Sequence, residues 1–434
     1  GQNLGGGGTV VGDISAGSGA TVSPGTTGTA ATLTFSNNLA LDNNATLVID
    51  LAASDAPGGG TNDLIVVNGN LTLNGTVVVN PTFLATQPQS PGSYTLIRYT
   101  GTLLGGAANL AAINASNHFT LAFDDTTPGE IRLLVSGAPA NLVWHGDAAT
   151  NIWDLAAPTN WFDGAALVPF QNLDSVAFDD TGSVSPSVNL TTTLAPLAVT
   201  VNSASNYTFT GAGRISGAAA LTKQGTGALT LSNPNNFTGP VTISAGVLKA
   251  GNATALGATN SGTSIASGAQ LDVSAFNLGA EAITVAGSGL GGVGAIINSS
   301  ATGQNNALRF VTMTGDTAFG GNGRWDIRAN PTASLTGNNY SLTKTGSNAV
   351  WLVDLAATGL GAINVNQGTL GIQDSTTLGN AASNIAVAAG ATLALWNTDV
   401  NALNKKLVMN GGALSSDAGD NIFAGTAALN TNVT

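Results

Sequence analysis

Short runs with apolar residues at alternate positions recur along the chain and predict β-strands. The clearest lie within residues 221–250, where Leu229 and Leu231 point to one face of a predicted strand and Thr230 to the other. Asn-Pro-Asn-Asn at 233–236 separates two such runs and has the composition of a turn. No single run could bury enough apolar surface to be stable alone. The pattern therefore predicts strands that stack on one another in a solenoid.

The same pattern occurs again further along the chain. Leu342-Thr343-Lys344-Thr345-Gly346 restates residues 221–225 at an offset of 121 residues. Three further landmarks follow at offsets within one residue of this value. We therefore expect a long-period repeat, with copies at 221–271 and 342–393. Asn and Thr also recur at strand ends, and stacked coils can align such side chains in hydrogen-bonded ladders.

These motifs resemble a known family. Leu-Thr-Lys-x-Gly-x-Gly-x-Leu-x-Leu from Leu221, then Asn-x-Phe-x-Gly at 235–239 and Gly-x-Leu at 246–248, resembles the autotransporter-associated β-strand repeat. The second copy departs from this pattern, because it lacks Asn-x-Phe-x-Gly and has Trp-Leu-Val-Asp at 351–354. The resemblance implies the β-helix of bacterial passenger domains and a surface or secreted location. The motif itself carries no catalytic residue.

We predict an all-β fold, a right-handed parallel β-helix (solenoid) in two segments with a Trp-rich β module between them. Turn signals about every 8–12 residues in the first part would also fit a sandwich or barrel, but the repeats favour coils. The predicted parts are 1–139, the C-terminal rungs and cap of a first solenoid; 140–215, the Trp-rich module; and 216–434, the second solenoid. We expect residues 94–135 to form the cap, because an open solenoid end exposes unpaired backbone groups. No sustained i, i+3, i+4 apolar pattern predicts a helix.

Composition excludes several classes of protein. Charged residues make up 8% of the chain, and 11 basic against 23 acidic residues give a net charge of −12. A nucleic-acid partner is not predicted, because phosphate binding needs clustered Lys and Arg, and the basic residues here are scattered. The chain has no cysteine, so neither disulfides nor thiolate metal sites are expected. No apolar run reaches the roughly 18 residues of a membrane helix, so we predict no membrane insertion by this segment.

The sequence begins and ends inside the pattern of predicted strands. The chain starts at Gly1 without a signal peptide and ends part-way through the second repeat. We therefore expect it to be a segment of a larger polypeptide, with an export and anchoring domain outside it. The resemblance implies that the protein is either secreted or displayed on the bacterial cell surface in association with the outer membrane.

Three tryptophans form a candidate glycan-binding site. Trp144, Trp153 and Trp161 lie within 18 residues of one another. An indole ring is flat and apolar, so these side chains could stack on sugar rings. The alternative, which we favour, is that they form the core of a small β cap. Replacing Trp144 or Trp161 by alanine separates the two interpretations.

Ionisable residues predict no catalytic, metal or cofactor site. Asp124-Asp125 and Asp179-Asp180 are adjacent pairs, and neighbouring residues on a strand point to opposite faces, so we interpret them as solvated turns. His118 and His145 each stand alone, whereas a zinc site needs three or four ligands. Neither histidine accompanies a Gly-x-Ser-x-Gly nucleophile motif.

The sequence therefore predicts a non-enzymatic structural or adhesive segment of a large bacterial surface or secreted protein. Its candidate partners are surface glycans or other surface proteins. The alternative is a β-helical polysaccharide-active enzyme or a carbohydrate-binding module. This alternative predicts a groove lined by several Asp, an Arg and aromatic side chains on one long face.

Overall fold

The computed structural model describes residues 2–26, 28–52, 56–83, 91–113, 119–155, 158–328, 332–398 and 403–430. Within these ranges the fold is all-β and built of parallel β-solenoid coils, which confirms the predicted fold class. The helical elements found in the described ranges are three 3₁₀ turns at Ala107–Asn109, Asp180–Gly182 and Leu290–Gly292. None of these has the length and apolarity needed to cross a membrane. The chain divides into two compact units, residues 1–140 and 141–434. The predicted three-part division stays a prediction.

The first unit is built from coils of three strands, and each coil adds one strand to each of three parallel sheets. The strands are β1 (Asn3–Gly5), β2 (Gly8–Val10), β3 (Ile14–Ala16), β4 (Thr21–Ser23), β5 (Thr32–Phe35), β6 (Leu39–Leu41), β7 (Thr46–Leu51), β8 (Leu64–Val67), β9 (Leu71–Leu73), β10 (Val77–Phe83), β11 (Gly92–Tyr99), β12 (Leu103–Leu104), β13 (Leu110–Ala112), β14 (Phe119–Asp124) and β15 (Glu130–Gly137). The sheets run in the order β1-β4-β7-β10-β13, β2-β5-β8-β11 and β3-β6-β9-β12.

Apolar residues at alternate positions stack in register inside this unit. Leu33, Ile65 and Ile97 pair across three consecutive coils and are at most 3% exposed. Thr32 and Thr34, which flank Leu33, are only half-buried. Each strand therefore buries its apolar face against the equivalent residue of the next coil, which is why no coil could be stable alone.

An antiparallel hairpin covers one edge of the first unit. β15 pairs antiparallel with β11 from Gly92–Val135 to Arg98–Glu130, and β14 pairs antiparallel with β15. These pairings occupy backbone groups of β11 that a further parallel coil would otherwise use. Most of this hairpin falls within residues 94–135, the predicted cap.

Two carboxylates are buried in the first unit. Asp63 is 0% exposed and Asp50 is 1% exposed. Asp63 accepts hydrogen bonds from the backbone N–H of Asp50 (2.9 Å) and of Ala31 (2.7 Å). Asp50 accepts one from the N–H of Gly28 (2.6 Å). The two side chains thus tie turns of successive coils together, and burial raises the pKa of Asp63 to about 6.

The raised pKa of Asp63 predicts that the first unit gains stability on mild acidification. The folded state holds this proton up to a pH of about 6, whereas the unfolded chain releases it near 3.8, so the free energy of unfolding rises as the pH falls from 6 towards 4. The gain is at most about 3 kcal/mol. Hydrogen exchange of peptides from β5 and β8 at pH 7 and 4.5, corrected for the intrinsic rate, measures it. Asp63→Asn should abolish the gain, and the same pH dependence in the variant would contradict this.

The second unit contains the remaining strands. They are β16 (Asn141–Trp144), β17 (Ile152–Trp153), β18 (Trp161–Phe162), β19 (Leu167–Val168), β20 (Ser175–Phe178), β21 (Ser187–Leu190), β22 (Thr193–Leu194), β23 (Ala198–Asn202), β24 (Tyr207–Thr210), β25 (Arg214–Ile215), β26 (Ala220–Gln224), β27 (Ala228–Leu231), β28 (Val241–Ile243), β29 (Val247–Ala250), β30 (Thr263–Ile265), β31 (Gln270–Asp272), β32 (Ala282–Gly287), β33 (Ile296–Asn298), β34 (Gln304–Leu308), β35 (Phe310–Gly321), β36 (Trp325–Arg328), β37 (Ser334–Thr336), β38 (Leu342–Lys344), β39 (Ala349–Val353), β40 (Ala356–Thr358), β41 (Ile363–Val365), β42 (Thr369–Gln373), β43 (Asn384–Ala388), β44 (Thr392–Trp396), β45 (Lys406–Asn410), β46 (Ala413–Ala418) and β47 (Ala427–Leu429).

Most of these strands form long parallel ladders, whereas β18 pairs antiparallel with β16 and β19, and β22 and β25 form a small separate sheet. One ladder runs β16-β20-β23-β26-β28-β30-β32-β35 and a second runs β17-β21-β24-β27-β29-β31-β33-β35. β35 belongs to both, because its first residues pair with β32 and its last residues with β33. From there β37 and β40 extend the first ladder, β38-β41-β43-β45-β47 extend the second, and β34-β36-β39-β42-β44-β46 form a separate sheet. We call this last one the third sheet.

A hydroxyl column follows the outer face of the first ladder, at positions inside the strands, and the predicted ladders of Asn and Thr at strand ends stay a prediction. Its members occupy equivalent positions in consecutive coils, and the hydroxyls of Ser264 and Thr242 lie 3.4 Å apart. The column comprises Thr200, Thr222, Thr242, Ser264, Thr284, Thr312, Thr336 and Thr358.

Candidate functional site

The three tryptophans predicted as a candidate glycan site lie in an aromatic core. Trp144, Trp153 and Trp161 are each 0% exposed. The ring centroids of Trp161 lie 5.0 Å from those of Trp144 and 5.1 Å from those of Trp153, both edge-to-face. Trp144 Nε1 donates to the carbonyl of Ser185 (2.9 Å). This burial agrees with the core interpretation, and glycan binding by these tryptophans stays a prediction.

An open cavity of about 510 Å³ lies beside this core. Its wall includes His145 together with Phe162 and Leu167, which are 39% and 45% exposed. His145 Nδ1 lies 3.2 Å from the carbonyl of Gly146. The described lining residues include this one imidazole and no carboxylate, so they do not form an acid–base pair. His118, the other histidine, lies outside the described residues.

The carboxylates of the two acidic pairs accept hydrogen bonds from turn residues. Asp124 and Asp179 each accept hydrogen bonds from the backbone N–H and the hydroxyl of the threonine two residues further on. Asp125 and Asp180 accept backbone N–H donors from segments 18 and 24 residues away. The carboxylates therefore hold neighbouring turns in place. Within the described part of the chain, no group of three or more His, Cys, Asp or Glu side chains could hold a metal ion.

The lysine of the Leu-Thr-Lys motif is buried inside the solenoid. Lys223 is 0% exposed, and its Nζ donates to the carbonyls of Gln224 (2.5 Å), Gly225 (2.9 Å) and Ala245 (3.2 Å). The first carbonyl belongs to the last residue of its own strand, the second to the turn that follows, and the third to the next coil. The ammonium thus uses its three donors to join two coils.

The second copy of the motif repeats this arrangement. Lys344 is 0% exposed and donates to the carbonyls of Thr345 (2.7 Å), Gly346 (2.8 Å) and Gln367 (3.2 Å). Burial lowers the pKa of both motif lysines to about 8. The three carbonyl acceptors favour the ammonium form and so act in the opposite direction. The motif lysines therefore have a structural role.

The glycine of the Gly-x-Leu motif is required by the same contact. Gly246 has a φ of 68°, and a Cβ at this position would lie 2.5 Å from the carbonyl oxygens of Gly225 and Gly227 and 2.7 Å from Lys223 Nζ. A side chain here would therefore strain the backbone and displace the ammonium. The lysine and glycine of the repeat, 23 residues apart in the sequence, form one structural unit.

A third buried lysine was not predicted from the sequence. Lys405 is 1% exposed, and its Nζ donates to the carbonyls of Leu360 (3.0 Å), Gly361 (3.1 Å) and Asn380 (2.5 Å) and to the hydroxyl of Ser383. Burial lowers its pKa to about 8 as well. No Leu-Thr-Lys motif precedes it, so only the fold shows that it has the same role.

Charged and aromatic side chains meet on the outer face of the third sheet. The strand register aligns Asp326 with Trp351, and Arg328 with Val353. Two coils further along, Trp396 occupies the position equivalent to Val353. Adjacent coils of a parallel sheet are about 4.8 Å apart, so residues distant in sequence share one surface.

Two arginines on this face share one carboxylate. Asp326 is 0% exposed and accepts from Arg324 Nε and Nη2 (both 2.9 Å) and from Arg328 Nη2 (2.7 Å). The guanidinium carbon of Arg324 lies 5.0 Å from the ring centroid of Trp351. The carboxylate of Asp326 therefore fixes both guanidinium groups on this face.

The tryptophans of this face differ in exposure. Trp351 is 5% exposed and Trp396 is 42% exposed, with their ring centroids 6.2 Å apart in an edge-to-face arrangement. A Cβ on Gly371 would lie 2.1 Å from Trp351 Cδ2, so the indole lies directly over this glycine. We call Arg324, Arg328, Trp351, Gln373 and Trp396 the aromatic platform. The carbohydrate-binding alternative predicted a groove lined by several Asp, an Arg and aromatic side chains on one long face. This face brings together one such Asp, two Arg and two Trp, and the alternative stays a prediction.

Comparisons with known proteins agree with the repeat. Residues 221–250 match the family model described as Passenger-associated-transport-repeat. Over 127 residues the chain is 38% identical to the adhesin BmaC autotransporter of Brucella suis biovar 1, and this stretch covers 29% of the chain and 4% of that protein. No solved structure matches the chain. The resemblance to the autotransporter-associated repeat is therefore confirmed.

Proposed function

We propose that this chain, which carries a passenger-associated transport repeat, is a non-enzymatic structural and adhesive segment of a larger bacterial surface or secreted protein. The proposal rests on the structural role of the two motif lysines. Lys223 and Lys344, which could otherwise act as nucleophiles or bases, are buried and bind only backbone carbonyls among the contacts of the described residues. The repeat thus supplies coil-to-coil contacts.

A stacked solenoid suits display at a cell surface. It grows by adding coils and presents long outer faces on which a partner can bind several coils at once. Its stability comes from stacking and backbone hydrogen bonds, because the chain has no cysteine. The protein it resembles over 127 residues is named an adhesin and an autotransporter, which supports both adhesion and a secreted or cell-surface location.

Beads coated with the purified 434-residue chain test adhesion directly. We expect them to bind epithelial cell monolayers at least about tenfold more than beads coated with albumin, and heat-unfolded chain should lose the effect. Adhesion no greater than that of albumin would contradict the adhesive role. New reducing ends released from a panel of polysaccharides would contradict the non-enzymatic role.

A further inference from the structure

We propose that the aromatic platform of the third sheet binds an uncharged oligosaccharide, with one pyranose ring stacked on Trp396. This inference rests on the proposed adhesive function and names the chemical class of its ligand. It differs from the glycan site predicted at Trp144, Trp153 and Trp161, which uses another part of the second unit.

The exposure of Trp396 is the first observation. Of the six tryptophans, Trp396 is 42% exposed, whereas the other five are at most 5% exposed. Trp396 is the last residue of β44, and the register places it beside Gln373 of the preceding coil. The indole of Trp396 therefore presents an aromatic surface to solvent, on which a flat apolar ring can stack.

The platform is held rigidly before any ligand arrives. Trp351 lies over Gly371, its face is covered by Arg324, and its ring contacts Trp396 edge-to-face. Arg324 is fixed in turn by two hydrogen bonds to the buried carboxylate of Asp326. Because these contacts hold Trp351 and Arg324, ordering these two side chains would cost little conformational entropy on binding.

The chemistry of the platform fits a sugar. The C–H face of a pyranose is apolar and flat enough to pack on an indole ring, while its hydroxyls need planar hydrogen-bonding groups nearby. Gln373 supplies an amide next to Trp396, and its Nε2 donates to Asp374 (3.0 Å). The side chains of Arg324 and Arg328 are 35% and 24% exposed, so part of each side chain faces solvent.

The charges favour an uncharged ligand. Arg324 and Arg328 share the carboxylate of Asp326, and Asp354 and Asp374 follow the ends of β39 and β42. These five groups sum to one negative charge, and the whole chain carries −12. A sulfated or uronic-acid polymer would therefore be repelled, whereas neutral hexoses and N-acetylhexosamines would not.

The test uses the full chain on a printed array of uncharged gluco-, galacto-, manno- and N-acetylhexosamine oligosaccharides, followed by titration calorimetry of the glycans that bind. Trp396→Ala should weaken binding about tenfold or more, and Trp396→Phe should retain binding within about threefold, because the aromatic face remains. Tyr340→Ala is the matched control, since Tyr340 is an aromatic residue with 38% exposure outside the platform. It should bind like the unmodified chain. Binding should also change little between 50 and 500 mM NaCl.

Gln373→Ala gives a second, milder variant that leaves both tryptophans in place, and circular dichroism checks the fold of each variant. The proposal is overturned if no uncharged glycan binds, if Trp396→Ala binds as well as Tyr340→Ala, or if binding is confined to heparin and disappears at 500 mM NaCl. Beads carrying Trp396→Ala distinguish this failure from that of the proposed function. If they adhere to cells as well as the unmodified chain does, adhesion stands and uses another surface, such as a protein-binding one.

Discussion

Replacing Lys223 by methionine should lower the free energy of unfolding of the second unit by about 3 kcal/mol. Methionine has a similar length and no donor, so three partly buried carbonyls would each lose a hydrogen bond, at roughly 1 kcal/mol apiece. Urea unfolding followed by tryptophan fluorescence measures this, because all six tryptophans lie within residues 141–434. Lys344→Met and Lys405→Met should behave alike, since each lysine has three carbonyl acceptors.

Lys406→Met is the matched control for these variants. Lys406 is the neighbour of Lys405 in the sequence, yet its side chain is exposed. Its replacement should change the free energy of unfolding by no more than about 0.5 kcal/mol. If Lys405→Met were as stable as Lys406→Met, the role assigned to the buried ammonium groups would be wrong.

The dependence of stability on alkaline pH tests the role of Lys223 in a second way. The pKa of Lys223 is about 8 in the folded state, against an ordinary value of 10.5. Between these values the unfolded chain binds a proton that the folded chain has released, so the free energy of unfolding rises with pH. The advantage of the unmodified chain over Lys223→Met should therefore grow from pH 7.5 to pH 10, by at most about 1.4 kcal/mol per pH unit. A constant or shrinking difference would show that the carbonyls hold the proton in place.

Replacing Trp161 by alanine should destabilise the second unit by about 3–5 kcal/mol, because it leaves a large cavity in a packed aromatic core. Trp161 is 0% exposed and lies within about 6 Å, centroid to centroid, of Trp144, Trp153, Phe170 and Phe178. Urea unfolding and near-ultraviolet circular dichroism measure the loss.

Phe162→Ala is the control for Trp161→Ala. Phe162 is the next residue in β18, points to the other face of the strand and is 39% exposed. Its replacement should cost less than about 1 kcal/mol. If Trp161→Ala kept its stability and lost glycan retention, the site predicted at Trp144, Trp153 and Trp161 would replace the core interpretation.

The repeat shows which structural features a local sequence pattern predicts and which it does not. Leu229 and Leu231 are buried and Thr230 is half-buried, as the alternation predicts. The departure of the second copy at Trp351 was visible in the sequence as well. The sequence did not show the role of Trp351, because this residue contacts Arg324 and Trp396, which are 27 residues before it and 45 residues after it.

The sequence alone determined the strands, the turns between them, the repeat and the solenoid, because alternation, turn residues and motif spacing act over a few neighbouring positions. The tertiary structure decided which residues meet across coils. Coil length varies, with 20 residues from Leu221 to Val241 and 28 from Ile283 to Val311, so the register cannot be read from a fixed period. That register buries Lys223, Lys344 and Lys405 among carbonyls. It also places Trp396 beside Gln373 and within reach of Trp351 on one outer face.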